Sequence, residues 1–171
     1  MFCNNADRER ADWPLLQNGA VNLFHDPRHL DQARADLLAL GYEIANVTCR
    51  EGQDVFQAQV SAALRWKEQF GYEPWTGNLN ALHDAMHTYP FGPSSRAALA
   101  FDGFDKIASS DAVLAHAILD IIESHARDHL LRKRLLVALV QTDDPDFECA
   151  DLGGRRASWN PGEWLRSNRI G

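Results

Sequence analysis

Disulfide chemistry is almost absent from this 171-residue chain. Its cysteines, Cys3, Cys49 and Cys149, are odd in number and widely spaced. That pattern excludes a disulfide framework and a clustered zinc site, and fits the reduced thiols of a cytoplasmic protein. Long apolar runs are missing too. None approaches the roughly 18 residues that a spanning helix needs. The start, MFCNNADRERADW, mixes charges and has no apolar signal core, so neither a secretory signal nor membrane attachment is expected. There is no Walker loop, dinucleotide fingerprint, nucleophile elbow or CxxC pair. Gly153-Gly154-Arg155-Arg156 lacks the Lys-Ser and the preceding strand of a phosphate loop. No cofactor and no metal are therefore expected.

Basic residues are also short. Lys and Arg total 17 against 24 Asp and Glu, for a net charge of −7. Direct nucleic-acid binding needs clustered cations, so this balance argues against it and permits a basic partner. Asp102, Asp105, Asp111, Asp120, Glu123 and Asp128 face only Lys106 and Arg127 in their stretch. Asp143, Asp144, Asp146, Glu148 and Asp151 follow with no base among them. The tail then turns basic through Arg155, Arg156, Arg166 and Arg169.

The length suits one domain, with an irregular segment over 1–19, a body over 20–145 and a basic, Trp-containing extension over 146–171. The pattern predicts a strand over 20–24 and a helix from Pro27, capped by Asp26 and closed by Gly41. A strand over 42–49 follows, then a helix from Asp54 to near Gly71 and a short helix from Asn78 to His87. Beyond the Pro90–Pro93 loop come a strand over 97–101 and a long helix capped at Ser109, Ser110 or Asp111. RLLVALVQ at 134–141 reads as a buried strand. Strands alternating with helices predict an α/β fold: a small, mainly parallel sheet of three or four strands packed by helices.

The short helix is the most informative element. Leu79, Leu82, Ala85 and Met86 share one face, and Asn80, Asp84 and His87 share the other. Asn78 is a good cap, Gly77 permits a tight entry, and Trp75 stands just before them. By periodicity alone this is an amphipathic helix with a solvated face.

The stretch Trp75-Thr76-Gly77-Asn78-Leu79-Asn80-Ala81-Leu82-His83-Asp84 resembles the signature of the barstar family, whose members inhibit ribonucleases. That signature is aromatic, Gly, any residue, Asn, apolar, Asp, Ala-Leu, any residue, Asp. The resemblance extends over about 42–142. It implies a small parallel sheet packed by helices, and no catalysis. It also implies a bacterial immunity protein, favoured as a monomer, that plugs the active site of a ribonuclease or another toxin with a basic active site. Asp84 takes the place of the central inhibitory aspartate, with Trp75, Asn78 and Asn80 beside it. His83 and His87 flank it, and Asp120 or Glu123 of the long helix supplies the further acid. Thr76 stands where the signature has glycine, and Asn80 replaces an aspartate, which thins the charge code.

Two rival readings remain. His83 and His87 sit at i, i+4, as metal ligands do on a zinc-protease helix, and His125 and His129 repeat the spacing. However, Asp84 is one methylene shorter than the glutamate such a helix uses. The last alternative is an interaction scaffold with no toxin partner. The acidic run Asp143-Asp144-Pro145-Asp146 reads as a solvated loop after the last strand, able to widen an acidic surface.

Overall fold

The computed structural model describes residues 8–72 and 74–170. Cys3 lies outside the described residues, as does the start of the 1–19 segment. The described part of that segment is docked. Helix α1 (Trp13–Leu16) buries Leu15, and the fully buried Asp12 receives Arg10 and the Tyr42 hydroxyl, the latter at 2.8 Å.

Strand β1 (Val21–Phe24) is buried at every position and leads into α2 (Pro27–Ala39). The Asp26 side chain accepts from Arg28 N, Pro27 opens the helix, and Gly41 follows it at φ +79°. This is the start and stop that the sequence predicts. Strand β2 (Glu43–Thr48) precedes α3 (Gln53–Ala63). The single helix expected here breaks at Arg65, which adopts φ 48°, and restarts as α4 (Trp66–Phe70). The break gathers Trp66, Phe70, Tyr72 and Trp75 into one aromatic cluster. Helix α5 (Leu79–His87) is capped by Asn78, whose side chain accepts from Ala81 N.

Strand β3 (Arg96–Asp102) is followed by a helix that the pattern did not announce, α6 (Phe104–Ser110). Asp111 then caps α7 (Ala112–Leu131). Strand β4 (Leu135–Gln141) is buried throughout. The C-terminal segment adds β5 (Ser158–Trp159) and two 3₁₀ turns, Pro161–Glu163 and Arg166–Asn168.

The chain is α/β, and its five strands pair in parallel in the order β2-β3-β4-β1-β5. Successive residues point to opposite faces. Leu99, Phe101, Leu136, Ala138 and Val140 join the core with residues of α3, α5, α6 and α7. Ala98, Ala100, Val137 and Leu139 join the other core with Leu30 and Leu37 of α2. The β1-to-β2 connection runs back across the sheet, while β2 to β3 to β4 runs forward. Right-handed crossovers in opposite directions put their helices on opposite faces, as seen here.

The extension is therefore part of the sheet, adding a strand to the three or four expected. Two residues are too few for an alternation to show in the sequence. What holds the tail is Glu163, fully buried, whose carboxylate accepts from His25 N at 3.0 Å and Asp26 N at 2.6 Å. Glu163→Ala leaves both amides without an acceptor and should cost about 2–4 kcal/mol. Urea unfolding measures this, and an unchanged midpoint would show that the tail does not hold β1.

Candidate functional site

Helix α5 lies between two environments. Leu82, Ala85 and Met86 are buried in the core, while Asn80, His83, Asp84 and His87 are exposed. The helix is pinned at its start. Trp75 is fully buried, its Nε1 donates to Asn78 O at 2.8 Å, and its backbone N donates to Ser61 Oγ at 2.6 Å. Trp75 thus positions the helix from inside and offers no surface to a partner, which corrects the contact role expected of it. Asn78 is exposed, but its side-chain oxygen is committed to the cap.

Asp84 is one of several exposed acids with no partner among the described residues, together with Glu51, Asp54, Glu68, Asp128 and Glu148, and the one that sits on α5. Its carboxylate has no hydrogen bond and no ion pair among the described residues. Asp26, Asp31, Asp102, Asp105, Asp143, Asp146 and Asp151 each have a basic partner.

Helix α7 packs along α5 and brings a layer of imidazoles beneath that face. His125 is only 2% exposed. Its ring lies 4.3 Å from that of His83, 5.8 Å from His87 and 6.3 Å from His129, centroid to centroid. Neither His125 ring nitrogen has a partner, nor has Nδ1 of His129. His129 Nε2 lies 2.8 Å from Met86 O, so the ring carries its proton there and donates it to α5. Burial, with the neighbouring His83, His129 and His87, pushes His125 down to about 4, against a smaller pull from Asp128. Burial also lowers His129, against the Met86 bond. Among the described residues no three His, Cys, Asp or Glu side chains are set to hold a metal ion.

The acids expected from α7 fall elsewhere. Glu123 is two residues from His125, about 200° around the helix, and faces β1. It is 2% exposed, its Oε2 accepts from Ala20 N at 2.6 Å, and burial raises its pKa. A buried, bonded carboxylate of this kind closes the start of β1 and is not a surface contact. Asp120 is half-buried one turn earlier on the same side. The acid of α7 that acts on the α5-facing histidine is Asp128, which is exposed and was not singled out.

The carboxyl ends of the strands are where open α/β sheets usually bind ligands. Here they are closed by a clasp centred on Arg50. It reaches Asp102 at 3.0 Å, Asp143 at 2.6 and 2.8 Å, and Gln141 at 2.9 Å. Lys106 bridges Asp105 and Asp143, and Gln141 also accepts from Gly103 N. Arg50 holds the Asp143 carboxyl well below the usual range. The acidic run expected to be solvated is thus tied down: Asp143 to Arg50 and Lys106, Asp146 to Arg166. Cys49, next to this clasp, is buried, and burial with Asp102 and Asp105 pushes its thiol up to about 12, far from a nucleophile.

No known family model, no curated protein and no solved structure matches this chain. No helix among the described residues is long and apolar enough to cross a membrane.

Arg50→Met tests the clasp. Because its carboxylates are partly exposed, the loss at neutral pH should be about 1 kcal/mol. Asp143 has a lowered pKa, so its contribution is present above the ordinary carboxylate pKa and fades as pH falls below it. The difference between variant and parent should accordingly shrink below about pH 4 in denaturant titrations. A difference independent of pH would assign the loss to packing.

Proposed function

We propose that this protein is a barstar-like inhibitor, an immunity protein that occludes the basic active site of a ribonuclease or related bacterial toxin with the exposed face of α5. The observation that carries the reading is the unpaired Asp84 carboxylate, presented on a helix whose opposite side is locked into the core. A charge without an internal partner is free to complete one from outside. On a rigid helix little ordering is lost when it does. Asn80, His83 and His87 share its face of α5 as further contacts, with the exposed Asp128 on the neighbouring helix.

Two other features support the reading. From β2 onward the elements run strand, helix, aromatic cluster, short helix, strand, two helices and strand, before the edge strand β5. Apart from the added α6 and β5, that is the order the barstar resemblance implies. The Arg50, Lys106, Asp102, Asp105 and Asp143 charges at the carboxyl ends of the sheet pair with one another, whereas the Asp84 charge on α5 has no internal partner among the described residues. In this reading the protein is a cytoplasmic monomer without catalysis, cofactor, nucleic-acid or membrane partner. Its net charge of −7 suits fast encounter with a basic protein.

Asp84→Ala should weaken binding to the toxin by about 2–5 kcal/mol, as loss of a central charge does. The melting temperature should barely move, because the side chain is exposed. Titration calorimetry against the toxin encoded beside the gene, or against a barnase-type ribonuclease, gives the answer. Equal affinity of variant and parent would overturn the assignment.

A further inference from the structure

The imidazole layer between α5 and α7 is the least satisfied part of the interior. Of the buried side-chain polar atoms without a hydrogen bond, three belong to His125 and His129. A buried ring with both nitrogens unpaired loses its water hydrogen bonds and gains none in return. An apolar side chain would fill the same space without that penalty.

We propose that His125 is a proton-sensitive latch that holds α5 against α7 when neutral and releases it, with any bound partner, when protonated. This inference rests on the assignment of α5 as the binding helix.

The charges around the latch oppose protonation in place. From α5, His83 and His87 face the ring, and from α7, His129 lies one turn on. Asp128 pulls the other way, from an exposed position. His129 is in turn faced by Arg132, Arg134 and His87, with the Phe91 ring 4.9 Å away. A proton added to His125 finds no acceptor, and the nearest rings, 4.3–6.3 Å away, are other imidazoles. Opening the α5–α7 seam hydrates the ring. Because His125 titrates near 4 in the closed state and near the ordinary histidine value once hydrated, acid favours the open state. Opening must part Leu82, Ala85 and Met86 from the core they share with Ile118, Ile122 and Ala126, and the His129–Met86 bond is lost with them. Glycines at positive φ, Gly71 and Gly77, lie in the segment that leads into α5 and can absorb the motion.

Native-state hydrogen exchange of the intact chain is the test. Corrected for intrinsic rates, opening of the Leu82–Met86 amides should rise roughly 20-fold between pH 7 and pH 5. The amides of α2, on the far face of the sheet, should not follow. His125→Phe, which keeps a ring and removes the titration, should abolish the rise. The exposed pair His83→Gln with His87→Gln should reduce it, and serves if His125→Phe does not fold. A rise of equal size in all variants overturns the latch. So does a stoichiometric zinc ion bound by the parent and lost in the double variant, since the layer would then be a metal site. An acid-opened α5 in a protein whose Asp84→Ala variant binds the toxin normally would keep the latch and discard the inhibitor reading. The reverse result would do the opposite.

Discussion

Strand β4 has no side that tolerates water. Leu135, Leu136, Val137, Ala138, Leu139 and Val140 alternate between the two faces of the sheet, and all are buried. A strand of this kind needs a cover on each face and a paired strand on each edge. The architecture meets those demands. β3 and β1 take the edges, α2 covers one face, and α3, α5, α6 and α7 cover the other. Because β1 connects backward to β2 while later strands step forward, right-handed crossovers supply a cover on both sides. β1 would itself be an edge, and β5 takes that place, held there by Glu163.

The same constraint decides where function can reside. Carboxylates tie together the groups at the carboxyl ends of the strands, although an open cavity of about 580 Å³ lined by His25, Arg28, Asp143 and Arg169 remains beside them. Glu163 takes the amides that follow β1, and Asp102 and Asp143 take Arg50 at the ends of β3 and β4. The charged groups at these strand ends are therefore bonded mainly to one another. On α5 the core holds one face and leaves the Asp84 carboxylate on the other.

Much of this was readable in the chain because it depends on local chemistry. Asp26-Pro27 and Gly41 bound α2, Asn78 caps α5, and the apolar run of β4 is continuous, so each element carries its own signal. Contacts between elements carry none. Periodicity places Glu123 on a polar side of α7, yet only the approach of β1 turns that side into a buried socket around Ala20 N. Trp75 matches a signature position that suggests a contact, but the turn at Arg65 folds α4 over it. Helix α6 is seven residues long and begins after a glycine at φ 70°, a start without a side-chain cap to read. Arg50 is a lone base between Cys49 and Glu51, and its role appears only when three strand ends converge on it. The i, i+4 spacing of His125 and His129 was visible, but that they face His83 and His87 is a property of the packed pair of helices.

Where local rules and the observed packing disagree, the disagreement is concentrated. The helices α2, α5 and α7 are capped by Asp26, Asn78 and Asp111, the strand faces alternate as they should, and the charged clasp is closed. Among the buried side chains left without a partner, His125 stands out, because both of its ring nitrogens are unbonded; Trp66 Nε1 and Arg34 Nε are single atoms. A neutral polar group left unpaired in an interior costs about 1–3 kcal/mol. Ordinary packing would remove that cost by replacing His125 with an apolar residue, as Leu82, Ala85 and Met86 do on the facing helix. Sequences that satisfy every other level and violate one do so mostly where the violation serves a purpose. Asp84 and His125 both bear on the same nine-residue helix. Asp84 stands on its outer face, and His125 places an unpaired imidazole in the inner seam that Leu82, Ala85 and Met86 otherwise pack.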